Sequence, residues 1–142
     1  MLDFGPWSFK VQMACCLLMT GLIWLVQMVH YPSFQFVDPQ RFPEFHLHHS
    51  SRITFIVAPL MGLELVTAVG LVYERGDSYT WWLNLLGVVL IWACTAFLSV
   101  PLHNQLSTGF DYDKVKALVD TNWPRTLIWT VRSIWLVAFA AA

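Results

Sequence analysis

Apolar residues run along this chain in four blocks separated by shorter polar stretches. A helix that crosses a bilayer needs about 20 mostly apolar residues. Residues 9–30, 52–73, 81–102 and 124–141 meet or approach that length, the last being the shortest. Pro59 and Pro101 fall within the second and third blocks, which a membrane bundle tolerates where neighbours satisfy the freed carbonyl. Gly62, Ala68, Gly70, Gly87 and Ala93 mark places for close helix contact. Trp7, Trp81, Trp82 and Trp123 stand near block ends, where indole rings anchor at the membrane interface. The predicted fold is all-α: one domain, residues 1–142, built as an integral-membrane four-helix bundle.

The connections carry patterns of their own. A short "ERGDSY" turn at 74–79 joins the second and third blocks, whereas 31–51 and 103–123 are long. In the first of these, Asp38 followed by Pro39 reads as a helix start, a capping carboxylate with proline in the first turn. Wound from there, Phe42, Phe45, His46 and His49 share one face, and Arg41, Glu44 and His48 share another. In the second, Gly109 and Asp111 form a turn and cap, followed by the one-faced set Tyr112, Val115, Leu118 and Val119. Two short interfacial helices on one face of the membrane are therefore expected.

Four crossings have a consequence for sidedness. The first block ends at His30 and the third at His103, both on the same side, so all five histidines are expected on one face. That face carries Arg41, Arg52, Lys114, Lys116 and Arg125, against Lys10 and Arg75 opposite. The positive-inside rule then puts the histidine face in the cytoplasm and both termini outside.

Composition supports the membrane reading and excludes others. Hydrophobic residues make up 57% of the 142 and charged residues only 12%, too little polar surface for a small soluble domain. A net charge of −1 offers nothing to nucleic acid. Cys15, Cys16 and Cys94 lie in apolar runs without a C-x-x-C spacing, so they are expected to pack as small hydrophobes rather than bind zinc or haem. Asp3 precedes the first basic residue, Lys10, and no A-x-A-like site follows the first block, so that block is expected to remain as an anchor.

Chemistry concentrates in the histidines. His46 and His49, three apart on one helical face, can reach one ion or one substrate, and His30 and His103 end parallel spans at similar depth. His30, His46, His49 and His103 are the candidate metal ligands, while His48 belongs to the charged face. Glu64 lies about 18 Å into the second span, where a carboxyl demands a partner. Arg132 is the candidate, with Arg125 seven residues earlier on the same stripe. The pair reads either as a structural ion pair or, with Arg125, as a proton route beneath the histidines. Asn104 and Asn122 flank the second connection and could hydrogen-bond a ligand, although helix capping suits Asn122 as well.

The words "HYP", "F-H-x-x-H-x-x-R", "VPLHNQL-x-x-GFD" and "TNWPRT-x-x-WT-x-R" resemble those of small four-span bacterial membrane proteins similar to the anthrone-oxygenase-like group. The resemblance spans most of the chain and implies a bacterial inner-membrane protein with an embedded redox or ligand site. It brings no catalytic residue set with it.

Three functions fit these readings. The first is an oxidoreductase with copper or iron on the histidines, acting on an apolar or aromatic substrate from the bilayer. A carboxylate-rich di-iron site is disfavoured, since the acids on this face do not point inward in the pattern. The second is a b-type haem or quinone protein with His30 and His103 across the haem plane. The third is non-enzymatic: an accessory subunit of a larger membrane complex, or a structural protein whose histidines hydrogen-bond loops. The partners expected are the lipid bilayer and either a larger membrane complex or further copies of the chain in a homo-oligomer.

Overall fold

The computed structural model describes residues 7–141, so Asp3 lies outside the described residues. Four helices account for nearly all of them: α1 (Trp7–Phe36), α2 (Phe42–Arg75), α3 (Tyr79–Leu106) and α4 (Tyr112–Ala141). No strand occurs among the described residues. Helices α1, α2 and α3 are long and apolar enough to cross a membrane. Helix α4 matches them in length but carries Asp113, Lys114, Lys116, Asp120, Arg125 and Arg132, and it completes the bundle by packing on α1 and α3.

The helices follow one another around the bundle, with α1 on α2 and α4, and α3 on α2 and α4. Leu18, Leu25, Phe55, Val66, Phe97, Val131 and Ile134 face outward as an apolar coat, the surface that lipid tails would cover. At one end Phe9, Trp81, Trp135 and Phe139 make an edge-to-face aromatic cluster. Near it the α2–α3 turn is tight, and a Cβ at Gly76 would run into the Val72 carbonyl oxygen. From that turn α2 and α3 diverge, packing closely at the start and only lightly at the histidine end.

The two short interfacial helices expected from the pattern are not separate elements. Their residues form the first turns of α2 and α4, each continuous with its span. Asp38 does not cap α2. Its carboxylate accepts the Gln40 N–H at 2.8 Å in a turn, and the helix begins at Phe42 with Pro43 in its first turn, where a missing N–H costs nothing. Asp111 does cap α4, accepting the Lys114 N–H at 3.2 Å. Asn122 caps nothing, because α4 runs through it.

Helices α1 and α3 share an irregularity. Each widens into a π turn, Val26–His30 and Thr95–Ser99, two residues before Pro32 and Pro101 respectively. A proline inside a helix lacks one N–H and crowds the carbonyl four residues back. Those carbonyls, of Met28 and Phe97, lie within the widened turns, which relieve the clash. Such single-turn bulges recur at functional sites, and here they aim Gln27 and Thr95 into the bundle.

Candidate functional site

Three helices bring His30, His46, His49 and His103 together. His30 closes the π turn of α1. His46 and His49 sit on the inward face of α2 beside Phe42, with His46 and His49 2% and 6% exposed. His103 follows the π turn of α3 by one helical turn. His30 Nε2 lies 2.7 Å from His49 Nδ1, and His46 Nε2 lies 3.0 Å from His103 Nδ1. The rings of His46, His49 and His103 are 5.2–6.4 Å apart. His48 is exposed, and it lines a separate surface groove with Asp38, Arg41 and Glu44.

Two aromatic residues that the pattern did not single out complete the cluster. The Tyr31 hydroxyl lies 3.0 Å from His103 Nε2, and Phe34, fully buried, touches His30, His46 and His49 with its ring. Two buried imidazole nitrogens, His46 Nδ1 and His49 Nε2, have no hydrogen-bond partner. A buried polar atom left unpaired costs about 1–3 kcal/mol.

The nitrogen pairs can be assigned consistently with neutral rings. If His46 Nε2–H donates to His103 Nδ1, His103 Nε2–H donates to the Tyr31 oxygen. If His49 Nδ1–H donates to His30 Nε2, both unpaired nitrogens carry free lone pairs. This assignment is the usual one for metal-binding imidazoles, whose second N–H is held by a neighbouring acceptor. Among the described residues, however, no group of three or more His, Cys, Asp or Glu side chains is arranged to hold a metal ion. Four ring nitrogens, one from each of His30, His49, His46 and His103, meet one another in the two histidine pairs.

Below the histidines the divergence of α2 and α3 leaves a cavity of about 220 Å³. Met19, Ile23, Val57, Met61, Trp92 and Trp129 make most of its wall, with Tyr31, Ser99, His103 and Arg125 as polar points. Thr54, Ala58, Trp92 and Val100 on its rim are exposed, so it opens sideways between the two helices. A second groove, about 320 Å³, lies on the far side of His103 and takes in His46, Ser50 and Asn104. Asn104 is exposed there and lies outside the inner network.

Two polar networks border the cavity. Glu64 Oε1 accepts Arg132 Nη1 at 2.8 Å and its Oε2 accepts Trp129 Nε1 at 2.8 Å, while Arg132 Nε donates to Asn84 Oδ1 at 3.2 Å. Gly87 makes this possible, since a Cβ there would sit 2.7 Å from Arg132 Cδ. Nearer the histidines, Gln27 Oε1 accepts Asn122 Nδ2 at 2.8 Å and Thr126 Oγ1 at 3.2 Å. Asn122 Oδ1 in turn accepts Arg125 Nη2, and Arg125 Nη1 donates to Thr95 Oγ1 at 3.3 Å. Arg125 and Arg132 share a stripe of α4, as expected, but belong to different networks.

Among the residues missed in the pattern, Tyr31 had a signal in its place between His30 and Pro32. Gln27 and Ser99 had one in being polar inside apolar blocks. No family model matches the chain, and no curated protein or solved structure is significantly similar to it.

Proposed function

We propose that the protein is a membrane-embedded oxidoreductase whose histidine cluster holds a copper or iron ion beside a cavity for an apolar substrate. The observation that supports it is the pair of buried, unpartnered nitrogens on His46 and His49. Their neutral tautomers offer lone pairs, and imidazole donors suit copper and iron. His46 and His49 would bind the ion directly. His103, steadied by Tyr31, and His30 would orient those two rings or exchange their hydrogen bonds for ligation. Few protein ligands leave positions open, as catalytic centres require. A bound copper or iron ion supplies one-electron chemistry to a molecule lying next to it.

The chain's own part is positional. Phe34 and Phe42 pack against the imidazoles and keep bulk water from them. The lateral cavity admits an apolar molecule from the bilayer up to His103, and the outer groove reaches the same ring from its other side. Trp129, held by Glu64 Oε2, forms part of the cavity wall. The resemblance to the anthrone-oxygenase-like group points to the same class of chemistry. The haem alternative draws less support, because His30 and His103 each engage a different histidine instead of facing one another.

Elemental analysis of protein purified without a polyhistidine tag, from cells grown with copper and iron, tests the reading. About one ion per chain is expected, lost in His46→Ala/His49→Ala and kept in His48→Ala. Metal-free wild-type protein, or equal metal in all three, would refute it.

A further inference from the structure

Arg125 is 5% exposed, and no carboxylate among the described residues pairs with it. Its neighbour on the stripe, Arg132, shows what the fold ordinarily provides: Glu64 at 2.8 Å. A guanidinium cannot shed its charge, and burying one without a counter-ion is strongly unfavourable. Arg125 has only neutral acceptors, Thr95 and Asn122, and its Nε has no partner. The same side chain lines the lateral cavity.

A second unpaired group lines that cavity. Ser99, 3% exposed, has its Oγ buried without a hydrogen-bond partner. Otherwise the wall is mainly aliphatic and aromatic, and the mouth opens between α2 and α3 toward the apolar outer surface. One fixed cation, one free hydroxyl donor and an apolar chamber together describe a particular ligand.

We propose that the cavity binds an apolar carboxylate, a chain or ring lying between α2 and α3 with its carboxylate on Arg125 and Ser99. Arginine and carboxylate form charge-assisted, often bidentate hydrogen bonds, and one guanidinium matches a single negative charge. The proposal rests on reading the cavity as the substrate site, and it requires no metal.

The test uses protein in phosphatidylcholine nanodiscs, treated with chelator, and 9,10-dibromostearic acid as the probe, since bromine quenches tryptophans on contact and Trp92 and Trp129 line the cavity. Saturable quenching, displaced by stearic acid, is expected, whereas the brominated methyl ester should show only unsaturable partitioning. Arg125→Gln should weaken binding at least tenfold, and Ser99→Ala by a smaller factor. If Arg125→Gln does not fold, Arg125→Lys takes its place and should weaken binding severalfold, because it keeps the charge and loses the fork. Acid and ester behaving alike, or the Arg125 and Ser99 variants binding as wild type, would overturn the proposal. Displacement by phosphatidylglycerol as effective as by stearic acid would assign the site to a lipid phosphate and overturn the carboxylate. Because the metal is removed beforehand, acid binding stands or falls separately from the metal content measured for the histidines.

Discussion

Removing either member of the Glu64–Arg132 pair should cost far more than removing both. The two side chains are 2% and 6% exposed and 2.8 Å apart. Glu64→Leu leaves a guanidinium buried beside Asn84 with no counter-charge, and Arg132→Met leaves a carboxylate held only by the Trp129 indole. Breaking a buried pair from one side costs about 3–5 kcal/mol, so the two single losses sum to about 6–10 kcal/mol. In the double variant no charge remains. The main residual loss is the unpaired Trp129 N–H, about 1–3 kcal/mol, offset in part because two charges need no longer be desolvated. The double variant should therefore be at least about 3 kcal/mol more stable than additivity implies, the upper range for coupled neighbours. Reversible unfolding by dodecyl sulfate in mixed micelles, followed by tryptophan fluorescence, measures all four corners of the cycle. Single variants near wild type, or a double loss equal to the sum within about 0.5 kcal/mol, would show that the pair is not a coupled buried ion pair.

Two further outcomes are expected. Tyr31→Phe removes the hydroxyl that holds His103 Nε2 at 3.0 Å and should cost about 0.5–1.5 kcal/mol in the same unfolding assay; an unchanged midpoint would mean the contact contributes nothing. His48 in the second turn of α2 and Asp77 in the turn that follows it are both exposed, and the helix from His48 to Arg75 rises about 40 Å at 1.5 Å per residue, more than the hydrocarbon core of a bilayer. On intact spheroplasts an impermeant maleimide should label Asp77→Cys, and should label His48→Cys only after permeabilisation. The reverse pattern would invert the orientation drawn from the basic residues, and labelling of both without permeabilisation would contradict a crossing between them.

Much of this arrangement is legible in the chain. Helical periodicity alone turns Phe42, His46 and His49 to one side and His48 to the other, and the structure buries the first three and exposes the last. Glu64 and Arg132 announce each other because each is costly in an apolar block without the other. Helix boundaries were harder to read. The first turns of α2 and α4 look like free interfacial helices because their polar faces stop the apolar pattern, yet the backbone runs on through Arg52 and Asn122 without a break. At Arg52 local sequence holds no stop signal, and in α4 Pro124 is one that the helix nevertheless runs through.

Taken alone, the sequence determined the class: apolar blocks too long and too numerous for a soluble core, a helical period, and histidines gathered near the ends of the blocks. These are properties of residue type and spacing, which act over one or two turns. Only the tertiary structure decided which nitrogens meet, because a ring-to-ring distance depends on how α1, α2 and α3 are set against one another. It paired His30 with His49 and His46 with His103, brought Tyr31 to the cluster, and separated Arg125 from Glu64, the buried carboxylate that serves Arg132. The same divergence of α2 and α3 that keeps their histidine-end turns apart opens the cavity, and no local pattern encodes an angle between helices.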